Sequence, residues 1–271
     1  SNTAYFWRVR AVNACGNGAN SAAFSFTTLP LPGDCGIGTT PNILFSEGFE
    51  TGAAGWTHSG TGDTWALSTA NPHTGTTSYF AANPATVSDQ RLVSPPVVIP
   101  AGNPPGVMKF WNWQHMETRT GGCYDGGILE ISTDGGTTWT QLDAPRLLTD
   151  PYDGPISASF SNPLANLNAW CGNDPQPYLN SIVDVTSYAG QTVNFRFRLG
   201  SDNSVSRPGW HIDDVAVQNC VPTAACPNVD KGDFNNDSKV DLLFDHLTDN
   251  RNMVWLMNGA TRVGNGSWIS P

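Results

Sequence analysis

Oxygen-bearing side chains fall at Asp233, Asn235, Asp237 and Asp241 in a short run near the end of the 271-residue chain. Lys239 stands where a backbone carbonyl would complete the series. A loop that turns about one centre points every second residue inward, so alternate oxygens on such a loop wrap a hard cation. The chemistry expected is calcium binding, with Lys239 contributing through its carbonyl. The run departs from the helix–loop–helix form of this site. Phe244 stands where a glutamate would close the shell, Ser238 where a glycine would turn the chain, and 240–244 reads as a strand. The competing reading is a solvated polar turn, which the same residue types also fill.

Elsewhere catalytic patterns are missing. The histidines are His58, His73, His115, His211 and His246, with no His-Glu-x-x-His pair and no Gly-x-Ser-x-Gly elbow. His211 lies beside Asp213 and Asp214. On a strand 211 and 213 share a face while 214 points away, and a structural histidine at a sheet edge is the expected role. Among many Asp residues, no glycosidase-type carboxylate pair stands out. The segment 110–115 sets Trp111, Trp113 and His115 on one face and Phe110, Asn112 and Gln114 on the other. An aromatic platform for sugar rings is one reading. The expectation is that Trp111 and Trp113 face the core, as an inner strand requires. Trp170, beside Cys171, is the ligand-contact candidate.

The elements that must position these residues are strands. The chain has 28 Gly and 20 Pro, above their usual combined share of about 12%. Glu occurs only at 47, 50, 117 and 130, the remaining acids being Asp. Asp serves turns where Glu serves helices. Strands are expected over 43–49, 64–67, 78–81, 89–94, 107–114, 127–132, 138–142, 181–184, 192–199 and 209–218, with a hairpin turn at 132–137. The fold class is therefore all-β, a two-sheet jelly-roll sandwich over residues 41–220. A net charge of −10 disfavours nucleic acid and anionic membrane as partners. No apolar run approaches the ~20 residues of a membrane span.

Several phrases resemble known families. Gly232-Asp233-Phe234-Asn235-Asn236-Asp237 through Leu243, followed by Val254-Trp255-Leu256-Met257-Asn258-Gly259, resembles one FG-GAP/VCBS repeat. In that family such repeats build calcium-bearing propeller blades. Residues 1–32, with Tyr5-Phe6-Trp7-Arg8-Val9-Arg10-Ala11, resemble the last two strands of a fibronectin type III domain. Phe49-Glu50, Gly55-Trp56, Ile128-Leu129-Glu130-Ile131-Ser132-Thr133-Asp134-Gly135-Gly136 and Gly209-Trp210-His211-Ile212-Asp213-Asp214-Val215 resemble MAM-like and cleaved-adhesin-like jelly rolls. Those accompany bacterial secreted proteases of the immune-inhibitor-A type. The resemblance implies an accessory module and a structural calcium near Glu50 and Asp214, since paired carboxylates repel unless a cation or proton intervenes. Ordinary hydrogen-bonded acids are the alternative there.

The resulting division is a fibronectin-like part over 1–32, a linker over 33–40, the jelly roll over 41–220, a linker over 221–229, and a single propeller-type calcium repeat over 230–271. The chain is expected to begin and end inside domains of a longer protein. Six cysteines without a C-x-x-C pair suit disulfides in an oxidising compartment, and six allow 15 pairings. Pairing that respects the domain borders is 15–35, 123–171 and 220–226, among Cys15, Cys35, Cys123, Cys171, Cys220 and Cys226. The functional expectation is a non-catalytic, calcium-binding adhesion or recognition module, secreted or at the cell surface. Its ligand would be a glycan or an extracellular protein. A spacer or filament subunit and a carbohydrate-active hydrolase are the alternatives.

Overall fold

A computed structural model describes residues 4–13, 16–28, 30–36, 38–102, 105–172, 177–223, 242–246, 251–255, 257–258, 261–262 and 267–269. Cys15, Cys226 and the expected calcium loop at 233–241 lie outside these residues. The chain divides into two units, Ser1–Val221 and Pro222–Pro271.

The first unit contains a β-sandwich of two six-stranded sheets. Its strands are β1 (Thr39–Glu47), β2 (Thr57–Thr61), β3 (Ala66–Ser68), β4 (Ser78–Asn83), β5 (Ser88–Val93) and β6 (Val97–Val98). There follow β7 (Gly106–His115), β8 (Gly126–Ser132), β9 (Thr140–Gln141), β10 (Leu179–Asp184), β11 (Thr192–Ser201) and β12 (Arg207–Pro222). One sheet has the order β9-β8-β11-β5-β2, with β6 added on β11. The other has the order β10-β7-β12-β4-β3, with β1 added on β12.

Alternation along strands such as β5, β7 and β11 makes the sandwich. In β7 the side chains of Met108, Phe110, Asn112 and Gln114 are buried, while Lys109, Trp111, Trp113 and His115 are half-buried on the opposite face. Phe110 meets Phe197 of the facing sheet edge-on at 5.0 Å, and Trp210 of β12 lies 5.8 Å from the same ring. Burying each such ring contributes about 1.5–3 kcal/mol. Trp210 stays satisfied because its Nε1 donates to Asn112 Oδ1 at 2.6 Å. Gly127 leaves room for it: a Cβ there would stand 2.5 Å from the Trp210 ring. Every residue of β8 is buried.

The outer face of the β8–β11–β5 sheet is a charged ladder. Arg198 binds Asp89 at 2.7 Å, Arg196 binds Glu130 at 2.5 Å, and the Arg196 guanidinium lies 4.3 Å from the Trp139 ring centre.

Two disulfides close the unit, Cys123–Cys171 and Cys35–Cys220. The second corrects the expected pairings 15–35 and 220–226. Proximity in sequence misled there. The segment before β1 and the start of β1 lie along the end of β12, where Gln218 Nε2 donates to Gly33 O at 2.9 Å and Asn42 Nδ2 to Asn219 Oδ1 at 3.0 Å. That brings Cys35 to Cys220 although 185 positions separate them.

At the N-terminal end Ala4–Trp7 pairs with Phe24–Thr27, and Arg10–Asn13 pairs with Gly16–Asn20, both antiparallel. Tyr5 stacks on Phe26 at 5.3 Å and Trp7 on Phe24 at 4.9 Å. In the second unit Leu242–His246, Arg251–Trp255 and Ser267–Ile269 form an antiparallel sheet, beside the pair Met257–Asn258 and Thr261–Arg262. Among the described residues no helix is long and apolar enough to cross a membrane.

Candidate functional site

The face of the β10–β7–β12–β4 sheet turned away from the core carries a strip of rings. Cross-strand register sets Trp113 beside His211 and His211 beside Phe80, with Trp111 beside Asp213 one row along. The Trp113 and His211 rings are 5.4 Å apart, Phe80 and His211 4.4 Å, and Trp113 and His115 6.3 Å. His73 lies flat on Trp111 at 3.7 Å, and Tyr178 meets His73 edge-on at 5.3 Å. All except His211 are half-buried, and the His73 ring covers a face of Trp111. This corrects the expectation that Trp111 and Trp113 face the core. The Phe110 face of β7 has Phe197 and Trp210 to pack against, which leaves the tryptophans on the outer face.

A segment between β3 and β4 lies over one end of this face, and three acids hold it. Asp213 accepts from His73 N at 2.8 Å, and Asp214 pairs with His73 Nδ1 at 2.7 Å and accepts from Thr74 Oγ1 at 2.8 Å. Glu50 accepts from Thr76 N, Thr76 Oγ1 and Thr77 N at 2.8–2.9 Å. The Thr76 hydroxyl, followed by the Thr76 and Thr77 amides, holds the Glu50 carboxyl below its ordinary pKa. Gly75, at φ +62°, sits against that carboxylate, where a Cβ would stand 2.3 Å from its carbon. Thus Glu50 and Asp214 converge on one segment, and each spends its oxygens on that segment's donors.

Strict alternation would have sent Asp213 and Asp214 to opposite faces. Instead the register between β7 and β12 shifts between Lys109 and Trp111, and Asp214 takes φ 46°. This irregularity lets both acids reach His73. Phe49, beside Glu50, is also left-handed at φ 59°. Two non-glycine residues in this region mark a backbone that the surrounding structure must hold.

His211 is not a catalytic base in this arrangement. It is 4% exposed, its Nδ1 lies 2.8 Å from Ser78 Oγ, and Ser78 is itself fully buried. Burial pushes the His211 pKa down to about 4. A serine–histidine pair is therefore present but sealed from any substrate.

Trp170, the expected ligand contact, lies in the core and is corrected accordingly. It is 0% exposed, it packs against Tyr152 at 4.4 Å, and its Nε1 donates to Asp150 O at 2.8 Å. The backbone around it pairs with Gly127, so the loop closed by Cys123–Cys171 tucks this ring inward.

At the β10 edge a cavity of about 420 Å³ is lined by Gln114, Arg119, Asp150, Asp153 and Leu179 among others. Burial raises the pKa of both aspartates. Asp150 accepts from Asn112 and from Ser181, and Asp153 accepts from Cys171 N at 2.7 Å. These bonds anchor the long β9–β10 connection to β7 and β10. His73 and Tyr178 were not singled out in the sequence, because their place on this face depends on long-range contacts.

No family model matches the chain. Bacillopeptidase F of Bacillus subtilis (strain 168) is 25% identical over 181 residues, covering 64% of this chain and 10% of that protein. The chain thus spans about a tenth of the length of the curated relative it matches. Among solved structures, TmCBM61 in complex with β-1,4-galactotriose has 16% identity and a TM-score of 0.39, covering 64% of this chain and 94% of that one. The K3 cleaved adhesin domain of Lys-gingipain from Porphyromonas gingivalis W83 has 18% identity and a TM-score of 0.39, covering 66% and 99%. The CBM22-1 xylan-binding domain of Paenibacillus barcinonensis Xyn10C has 14% identity and a TM-score of 0.37, covering 68% and 97%.

Proposed function

We propose that the chain supplies a non-catalytic extracellular recognition module whose outer aromatic face binds a glycan. The observation that carries this reading is the half-buried pair Trp113 and His115 on the outer face, continued by the His73–Trp111 stack and Tyr178. Flat rings offer a large apolar area at little entropic cost, and they suit the C–H faces of sugar rings. The acids that pin the 73–77 segment fix His73 on Trp111 before any ligand arrives, which lowers the cost of binding. The two disulfides accord with an oxidising compartment. Calcium at Asp233, Asn235, Asp237, Lys239 and Asp241 belongs to the same reading as a stabiliser of structure, as does a cation near Glu50 and Asp214. Adhesion to an extracellular protein, a spacer role and hydrolysis are the rival outcomes.

The test is affinity gel electrophoresis of the whole chain through a panel of soluble polysaccharides, with Trp113→Ala alongside. At least one polysaccharide should retard the wild type. Removing a central ring should cost about 2 kcal/mol, roughly thirtyfold in Kd. Retardation by none of the panel, or equal retardation of wild type and variant, would overturn the glycan reading.

A further inference from the structure

A second group of acids lies apart from the aromatic face. Glu117 follows β7, Asp125 precedes β8, and Asp202 follows β11. One carboxylate oxygen from each falls within 4.8 Å of the others, and Asp125 and Asp202 are buried. Asp125 is already engaged, since its oxygens accept from Asp202 N at 2.6 Å and from Asn83 Nδ2 at 2.8 Å. Asp202 is 1% exposed, with Oδ1 accepting from Ser204 N, but its Oδ2 is buried and has no hydrogen-bond partner.

The shortfall is concentrated here. Glu117 Oε2, Asp202 Oδ2 and Asn83 Oδ1 are three of the nine buried side-chain polar atoms without a partner among the described residues. Asn83 is 1% exposed and ends β4, so four strand ends contribute. None of the described ion pairs includes Glu117, Asp125 or Asp202. Glu117 and Asp202 line a cavity of about 220 Å³, with Tyr124, Phe160 and Ser204. A buried carboxylate oxygen without a donor is costly, and close acids require a proton or a cation between them.

We propose that Glu117, Asp125 and Asp202 bind a hard divalent cation of the calcium type, with Asn83 as a further oxygen donor. The donor set is all oxygen, which suits calcium and excludes soft metals. Rotating the Asn83 amide exchanges the Nδ2 that now meets Asp125 for an oxygen, so the residue can serve the cluster with or without the ion. The adjoining cavity has room for water to complete a coordination shell of six to eight oxygens. Asp125 and Asp202 lie next to the ends of β8 and β11 in one sheet, whereas Glu117 lies just past β7 and Asn83 ends β4 in the other. A cation here would clasp the two sheets at one end. The site shares no residue with Glu50 and Asp214 or with the loop at 233–241.

The experiment is calcium binding by equilibrium dialysis on the full chain, with melting temperatures in calcium, magnesium and EDTA. Wild type is compared with Asp202→Asn and Glu117→Gln. Each variant should bind one equivalent fewer than wild type, or bind that equivalent at least tenfold more weakly. The calcium-induced rise in melting temperature should shrink in both. In EDTA, Asp202→Asn should melt no lower than wild type, because the oxygen it replaces is buried without a hydrogen-bond donor. Where Asp202→Asn fails to fold, the half-buried Glu117→Gln decides by the same count. Unchanged calcium stoichiometry and affinity in a folded variant would overturn the proposal and leave a proton or water at the cluster.

Discussion

Removing the Cys35–Cys220 bond should cost this unit a large part of its stability, through the unfolded state. The bond closes a loop of 185 positions, inside which Cys123–Cys171 closes one of 48. Chain entropy scales with the logarithm of loop length, so the inner link shortens the outer loop without much reducing its effect. The estimate is about 5 kcal/mol for the outer bond and about 4 kcal/mol for the inner one. Typical whole-domain stabilities are about 5–15 kcal/mol. For a unit of this size 1 kcal/mol moves Tm by about 2–4 °C, so the loss should be about 10–20 °C. The perturbation is Cys35→Ser together with Cys220→Ser, which leaves neither thiol to form a new bond. The assay is urea unfolding followed by tryptophan fluorescence. The denaturant slope should also rise, since an uncrosslinked chain exposes more surface on unfolding. A loss below about 1 kcal/mol with an unchanged slope would refute the reasoning.

Two further outcomes follow from the core. His211 is held neutral with a pKa of about 4, against about 6.5 when unfolded, so between those values the unfolded chain binds a proton that the folded chain refuses. Its contribution is full above pH ~6.5 and falls away towards pH ~4, by about 3 kcal/mol at most. Urea unfolding at pH 7.5 and pH 4 should show the loss, and His211→Gln should flatten it; equal pH dependence in both proteins would contradict this. Gly127→Ala would bring a methyl to 2.5 Å from the Trp210 ring and should destabilise by about 1–3 kcal/mol. An unchanged melting temperature for that variant would show that the ring has room to move.

Much of the fold is legible in the residues. Period-2 patterning reads β7 and β11 close to their observed bounds, because their two faces differ in burial, whereas β8 and β12 read as short apolar runs buried on both faces. The Asp134-Gly135-Gly136 turn between β8 and β9 is readable for the same local reason. Pairing of Cys123 with Cys171 follows from both lying within the expected jelly roll, and the structure joins them.

What the tertiary structure decided is which face meets what. Both faces of β7 carry large rings, so alternation separates Phe110 from Trp111 and Trp113 but does not say which side is covered. Only the arrival of Phe197 and Trp210 settles that. Trp170 looks like an exposed loop residue until the disulfide and Gly127 draw it inward. Asp213 and Asp214 reach one histidine because a register shift breaks the period that the sequence implies. Cys35 meets Cys220, and Glu117, Asp125 and Asp202 meet one another, across separations that local pattern does not encode. Sequence alone determined most of the strands, though not β2 or β6, and the residue types available for chemistry. Side-chain neighbourhoods built from four strand ends, or from one sheet lying on another, are properties of packing and exist only once the chain has folded.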